Sequence, residues 1–285
     1  VQAVLDAQGL AALADRIRAS GKLSIAAQTT DGGAHSPLIG LALATDPDEG
    51  FYVPLGHRKV GAPAQLRLSD VAAVLGPLFA DPAIAKATHG LRHEQVALGF
   101  GELPFAGGAF DGDLASYLLD PEAKHGLDDV AERSPGLALS RLETVTKRSR
   151  GPRLSFDELE VDEATRHAVP RAAAVLGLEE RLATELGNQG LSRVYQEIEV
   201  PLASLLAEIE LRGVLVDVER LSSLGAMCEA ELSRLEEEAH RIAGKSFNVN
   251  SPRQLETILF DELGLKPQKR TKTSRSTDAA TLESL

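Results

Sequence analysis

The residues with the clearest chemical potential are cations gathered inside an acidic chain. Lys266–Thr277, K-P-Q-K-R-T-K-T-S-R-S-T, holds Lys266, Lys269, Arg270, Lys272 and Arg275 and no acid, whereas the 285-residue chain carries a formal net charge of −12. Positive charge concentrated against an acidic background suits an anionic polymer, engaged through its phosphates. Thr273 within the run, and Asn248, Asn250 and Ser251 before it, add polar groups able to reach phosphate oxygens. A charge run of this kind is ordinarily a solvated surface segment. Here it follows two helices with defined caps, which would give it a fixed base.

Those helices are written plainly. In Asp217–Ala243 the apolar residues Leu221, Leu224, Cys228, Leu232, Leu235, Ala239 and Ile242 recur at steps of three and four, one stripe of an amphipathic helix. Asp217 suits its N-cap and Gly244 its C-cap. Ser251 reads as a second N-cap, with Pro252 at the first helical position and Gln254 completing a capping box. Leu255, Ile258, Leu259 and Leu263 form the next stripe, which Gly264 stops. The two helices are expected to pack as an antiparallel pair, with Cys228 in the core, and Thr277 is expected to cap a third.

Other candidates are weaker. His89 and His93 lie four apart, but no Glu follows the first and no third ligand stands at a metal-site spacing. Gly99-Phe100-Gly101 begins like a dinucleotide fingerprint, yet Pro104 stands where the third glycine belongs. The single Cys228 excludes an internal disulfide and any cysteine-based zinc site; a reducing cytoplasm is the expected location. No apolar run approaches the roughly 20 residues of a membrane helix. With 43% hydrophobic and 25% charged residues the composition is that of a globular protein of one or two domains. The chain starts without Met and stops at Leu285 in an apparent helix start, so it is expected to be an internal piece of a longer polypeptide.

The first two thirds mix strands and helices. Leu10–Arg18 has helical periodicity; Leu23–Thr29, Leu38–Thr45 and Phe51–Pro54 read as strands of an antiparallel meander separated by Asp/Gly/Pro turns. Helices are expected over 62–75 and 83–98, with a short strand possible at Lys86–Gly90. A strand is expected over Phe105–Phe110 and a helix over Asp111–Leu119 and again over Gly126–Arg133. Ser134–Asp157, with Arg141, Lys147, Arg148, Arg150 and Arg153, reads as a basic surface loop. A long helical region from Glu158 to Leu186 is expected to kink or break at Pro170. Gly187-Asn188-Gln189-Gly190 gives the expected domain boundary, dividing the chain into 1–189 and 190–285. Strands followed by interleaved helices suggest a sheet covered by helices. Tyr195, Glu197 and Glu199 just beyond the boundary are expected to make hinge or interdomain contacts.

Val194–Asp217, V-Y-Q-E-I-E-V-P-L-A-S-L-L-A-E-I-E-L-R-G-V-L-V-D, followed by F-N-V-N-S-P-R-Q-L and the basic loop, resembles the start of the polymerase region of family A DNA polymerases, the bacterial DNA polymerase I group. The resemblance implies that 190–285 is the base and first half of a helical thumb that binds primer–template DNA. It implies that 1–189 is an α/β 3′–5′ exonuclease-like domain of ribonuclease H-like fold with a mixed sheet. Palm and fingers, the remaining partners in the same polypeptide, fall outside these residues, and Mg²⁺ is expected for the complete polymerase rather than for this part.

Carried onto this sequence, the family's nuclease motifs have lost their acids. The first motif's Asp-x-Glu falls on L-S-I-A-A-Q-T-T, placing Ala26 and Gln28 at the carboxylate positions. The second becomes G-L-R-H-E and keeps only Glu94. The third, Tyr-x-x-x-Asp, becomes His167 and Arg171 with Pro170 between them. A fixed cation where a metal ligand belongs repels Mg²⁺. The expectation is a retained fold with a dead nuclease site and no metal. Two alternatives stand beside it. One is an active metal-dependent 3′–5′ exonuclease using substitute carboxylates such as Asp31, Asp111 or Asp113 with Glu94. The other is a non-enzymatic nucleic-acid-binding module.

Overall fold

The computed structural model describes residues 1–148, 152–269 and 274–285. Arg150, Arg270, Lys272 and Thr273, singled out above, lie outside the described residues. The chain forms two compact units, Val1–Gly213 and Val214–Leu285, each taken by itself below.

The first unit is built on strands β1 (Gln2–Ala3), β2 (Lys22–Thr29), β3 (Leu38–Ala44), β4 (Gly50–Pro54), β5 (Ala85–Thr88) and β6 (Gly108–Asp111). Its helices are α1 (Ala7–Ser20), α2 (Leu68–Ala80), α3 (Leu91–Phe100), α4 (Gly112–Leu119), α5 (Leu127–Glu132), α6 (Leu142–Val145), α7 (Val161–Asn188), α8 (Ser192–Val194) and α9 (Val200–Arg212), with a π turn Tyr195–Glu199 joining the last two. The sheet order is β1-β4-β3-β2-β5-β6. β2, β3 and β4 form the expected antiparallel meander. β5 pairs parallel to β2, β6 parallel to β5 and β1 parallel to β4, so the sheet is mixed.

The two faces of the sheet differ in side-chain size, and this sets the layers. Leu23, Ile25, Leu41, Leu43, Phe51 and Val53 point to one side and pack against α1 and α2. The alternate residues Ala26, Ala42, Ala44 and Tyr52 face the other side, where α7 lies with Ala164, Ala168 and Ala172. Period-2 alternation assigns the faces, and small residues on both partners let helix and sheet approach closely. α7 runs unbroken through Pro170, so the helix does not break there. A proline inside a helix costs about 3 kcal/mol, but α7 buries residues on both sides of it, from Val161 to Leu186, and that burial holds the helix together.

Some boundaries differ from the sequence reading. α2 begins at Leu68 rather than Ala62, and 83–98 divides into β5 and α3, the alternative that the Lys86–Gly90 stretch had left open. The Gly187–Gly190 break ends α7 as expected, but the compact unit continues through α9 to Gly213.

The second unit holds α10 (Val218–Ala243), α11 (Pro252–Glu256) and α12 (Ala279–Glu283), with a π turn Thr257–Glu262 after α11. Asp217 caps α10 by accepting the Arg220 N–H at 2.8 Å, and Gly244 ends it in the left-handed region. α10 buries none of its residues, so among the described residues the expected antiparallel packing does not cover its apolar stripe. Leu221 and Leu232 are exposed, and Cys228, expected in the core, is exposed too. Ser251 caps α11, accepting the Gln254 N–H at 3.5 Å. The Gln254 side chain passes over Ser251 and accepts the Asn248 N–H at 2.9 Å instead, so the reciprocal half of the capping box is missing. The cap of α12 is Asp278 rather than Thr277, its carboxylate accepting the Thr281 N–H at 2.8 Å. Asp provides a second oxygen that Thr lacks, and it takes the Lys269 ammonium at 3.1 Å.

Candidate functional site

On the first unit, the positions matched to the nuclease motifs lie on β2 (Ala26, Gln28), α3 (Glu94) and α7 (His167, Arg171). Ala26 on β2 is part of the packing under α7. Gln28, two residues along the same strand, folds its amide back to donate to the Ala26 carbonyl at 3.3 Å. Neither offers an anionic oxygen. Glu94 sits in the first turn of α3 and is 6% exposed. Its carboxyl accepts the Ala27 backbone N–H at 2.7 Å, tying α3 to β2. Burial pushes the Glu94 carboxyl up to about 8, against the opposing pull of the Ala27 hydrogen bond. A buried carboxyl neutral at pH 7 must give up its proton, with the Asp111 charge nearby, before it can hold a cation.

Asp111 at the end of β6 is the other buried acid here. It accepts the N–H groups of Gly90 at 2.8 Å, Leu91 at 2.7 Å and Asp113 at 2.9 Å. One carboxylate therefore serves the N-termini of both α3 and α4, where unpaired donors gather. Gly90 enters α3 at a φ of 103°, a left-handed conformation that favours glycine; glycine has no side chain to cap the helix, and Asp111 supplies what is missing. Burial raises the Asp111 carboxyl and the three N–H donors oppose that rise. The Tyr195 hydroxyl accepts the Asp111 N–H at 2.6 Å and donates to the Asp111 carbonyl at 3.0 Å. Tyr195 thus acts within the first unit, pinning the π turn to β6. Asp31 is an exposed turn residue, bonded to the Gly33 N–H at 2.9 Å.

The third motif lies on α7. His167 is buried, its Nδ1 at 3.0 Å from the Ser140 hydroxyl. Burial, followed by the Arg171 charge, pushes His167 down to about 4, so the imidazole is neutral at pH 7. Arg171 makes a forked pair with Asp128 of α5, Nη1 to Oδ1 at 2.5 Å and Nη2 to Oδ2 at 3.4 Å, and touches the Ser140 carbonyl at 3.4 Å. The guanidinium closes α5 and the 134–148 stretch onto α7. Replacing Arg171 by Ala strands the mostly buried Asp128 carboxylate. An unfolding free energy lower by about 1–2 kcal/mol is expected, discounted for partial exposure. Asp128→Asn should cost a similar amount, and the double variant less than the sum, as chemical denaturation would measure.

The donor set does not fit a divalent metal: two positions lack charge, one is a protonated and committed acid, and one is a cation with a partner. Among the described residues no three His, Cys, Asp or Glu side chains are grouped to hold one. His89 and His93 do not converge on a ligand site; the His89 Nε2–H donates to the His125 carbonyl at 2.7 Å and burial lowers its pKa. Beside β2 opens a cavity of about 330 Å³ lined by Gln28, Thr30, Asp31, Thr146, Arg153 and Phe156, among others.

On the second unit, Asn248 Oδ1 accepts the Asn250 N–H at 2.9 Å, which shapes the turn ahead of α11. Lys266 is exposed, and Lys269 is held at 3.1 Å by Asp278. Arg275 is not a free cation of the basic run. Its Nη1 and Nη2 fork onto the two Asp261 oxygens at 2.6 and 2.7 Å, and its Nε donates to Glu256 at 2.8 Å. The sequence shows Arg275 in an acid-free run, but its partners stand on the preceding helix.

The geometry has counterparts among known proteins. The family model described as 3′-5′ exonuclease matches residues 1–187, and that of DNA polymerase family A matches residues 218–285. The DNA polymerase I of Pseudomonas aeruginosa is 33% identical over 281 residues, 97% of this chain and 31% of that protein. That of Geobacillus stearothermophilus is 37% identical over 254 residues, 88% of this chain and 27% of that protein. The chain therefore spans less than a third of the length of these relatives. A solved structure, the POL domain of Pol1 from M. smegmatis in complex with DNA primer-template and dNTP, superposes with a TM-score of 0.65 at 27% identity, covering 100% of this chain and 45% of that one. With the exonuclease model extending over more than half of its length, the chain belongs to the 3′-5′ exonuclease family, as part of a DNA polymerase I family protein.

Proposed function

We propose that this chain is the exonuclease-like and thumb portion of a polymerase that extends primers on a DNA template, and that its nuclease centre does not cleave. The reading of an inactive centre rests above all on Arg171. A guanidinium paired with Asp128 stands where the family places a metal-binding Asp, and its charge repels the ions that activate water in two-metal hydrolysis. Ala26 and Gln28 supply no charge to offset it. Two of the substitute carboxylates of an active nuclease are already engaged: Glu94 with Ala27, Asp111 with three N–H donors.

The second unit grips primer–template DNA through its basic loop, with Lys266, Lys269, Arg270, Lys272 and Thr273 against phosphates and Asn248, Asn250 and Ser251 beside them. The family A match over 218–285 supports this, as does the DNA complex of the structural neighbour. Nucleotide addition belongs to palm and fingers of the same polypeptide, with Mg²⁺ held there.

A 5′-labelled primer–template incubated with the chain and Mg²⁺ or Mn²⁺, without nucleotides, tests the reading on a denaturing gel. The primer is expected to stay at full length while gel-shift binding weakens as salt rises. Stepwise shortening overturns the inactive centre. Loss of the shift would overturn the grip.

A further inference from the structure

The acid-free run contains one arginine that the fold has withdrawn from solvent. Arg275 donates its backbone N–H and its Nε to the same Glu256 oxygen, at 2.9 and 2.8 Å. Its two terminal nitrogens take both oxygens of Asp261, and the guanidinium lies 5.2 Å from the centre of the Phe260 ring. Phe260 is buried, and the Arg275 side chain is only 24% exposed. All three partners belong to α11 and the π turn after it. The next residue closes the loop at its base: the Ser276 N–H donates to the Lys269 carbonyl at 2.9 Å. Beside it, Asp278 accepts both Lys269 Nζ and the Ser276 hydroxyl.

A guanidinium whose donors go to two carboxylates has little left for a phosphate. Forked Arg–carboxylate pairs are also among the strongest hydrogen-bonded contacts, and they fix orientation as well as distance. Resting on the reading that this unit grips DNA, we infer that Arg275 is a positioning residue. It clamps the base of the basic loop to the Thr257–Glu262 turn and presents the other cations, without itself neutralising a phosphate.

The inference separates from direct phosphate contact because Glu256 and Asp261 are negative. If Arg275 met phosphate, removing those acids would free it and tighten DNA binding. If it clamps, the same change releases the loop and weakens binding. The experiment compares wild type with Lys266→Ala, Arg275→Ala, Arg275→Lys and the double variant Glu256→Gln/Asp261→Asn. Primer–template affinity is measured across a salt series, with amide hydrogen exchange followed over 274–278.

Lys266→Ala should reduce the salt slope by about one. Arg275→Ala should weaken binding about five- to tenfold with the slope unchanged, because no counterion-releasing contact is lost. Arg275→Lys should be as weak, since one ammonium cannot bridge both acids. The double variant should also bind more weakly, and exchange over 274–278 should quicken in all three clamp variants. Tighter binding by the double variant, or a slope reduced by about one in Arg275→Ala with exchange unchanged, overturns the inference and leaves the DNA-gripping reading standing. Absence of wild-type binding overturns both.

Discussion

Replacing Glu94 by Gln is expected to stabilise the protein above neutral pH rather than harm it. The Glu94 carboxyl is pushed up to about 8 by burial, from an unfolded value of about 4.3. For an acid whose folded pKa is raised, stability is fully present below the unfolded value and is lost as pH climbs through the folded one. Between pH 6.5 and 8 the wild type should lose on the order of 1.5–2 kcal/mol through this group alone. His167, whose pKa is lowered to about 4, acts below that interval and with the opposite sign: it costs stability as pH falls from about 6.5 toward 4. Gln keeps an oxygen for the Ala27 N–H and removes the ionisation, so its profile should lack this loss and exceed that of wild type at the upper end; the buried Lys86 ammonium, pushed down to about 8 by burial, adds the same slight rise near pH 8 to both proteins. Glu94→Ala removes the acceptor too and should lose about 1–3 kcal/mol at all pH values for the unpaired Ala27 donor, with a cavity cost added. Denaturant midpoints measured every half pH unit decide it. A wild-type profile as flat as that of Glu94→Gln would mean the carboxyl is ionised in the fold, and a metal role for it would have to be reconsidered.

The same residue shows where sequence reasoning reaches its limit. That Glu94 is the lone acid left in its motif was legible; that its partner is a backbone N–H on β2 was not, because the contact joins residues 67 positions apart. Arg171 was legible as a misplaced cation, yet its use as a brace depends on Asp128 of a helix 43 residues earlier. The meander β2–β4 was readable because Asp31-Gly32-Gly33 and Asp46-Pro47-Asp48 separate three short apolar runs, although β3 and β4 are buried on both faces. β1, β5 and β6 are short, and their pairing is carried by neighbours rather than by their own pattern. α7 defied its proline because the penalty is local whereas the burial extends along the whole helix. The α10 stripe was read correctly from its period, but period identifies an apolar face without identifying what covers it. Exposure at Cys228 follows from that gap. Arg275 misled for a related reason: a run free of acid in sequence is not free of acid in space.

Replacing Gly40 by Ala should be the most damaging single-methyl change in the first unit. Gly40 lies on β3 opposite Pro54 of β4. A Cβ there would stand 2.2 Å from the Tyr52 hydroxyl oxygen and 2.4 Å from the ring carbon bearing it. Tyr52 has no room to yield. It is fully buried between β3 and α7, and its hydroxyl lies 2.9 Å from His57 Nε2, whose Nδ1 meets the Leu159 carbonyl at 3.1 Å. That carbonyl stands one residue ahead of Glu160, the N-cap of α7, and α7 is the helix carrying His167 and Arg171. Forcing the ring away therefore adds two costs: overpacking of about 1–3 kcal/mol, and a buried His57 nitrogen left without its partner at about 1–3 kcal/mol. A loss of about 3–5 kcal/mol is expected in chemical denaturation. Tyr52→Ala leaves a cavity and should lose about 3–5 kcal/mol by itself. The double variant should be well short of the sum, because the new methyl enters space that the ring has vacated. Additive losses would mean that Gly40 is needed for backbone reasons and that the close approach of Tyr52 is incidental. Coupling would show that the glycine exists to let one tyrosine reach its histidine, and through it to hold the Leu159 carbonyl just ahead of α7.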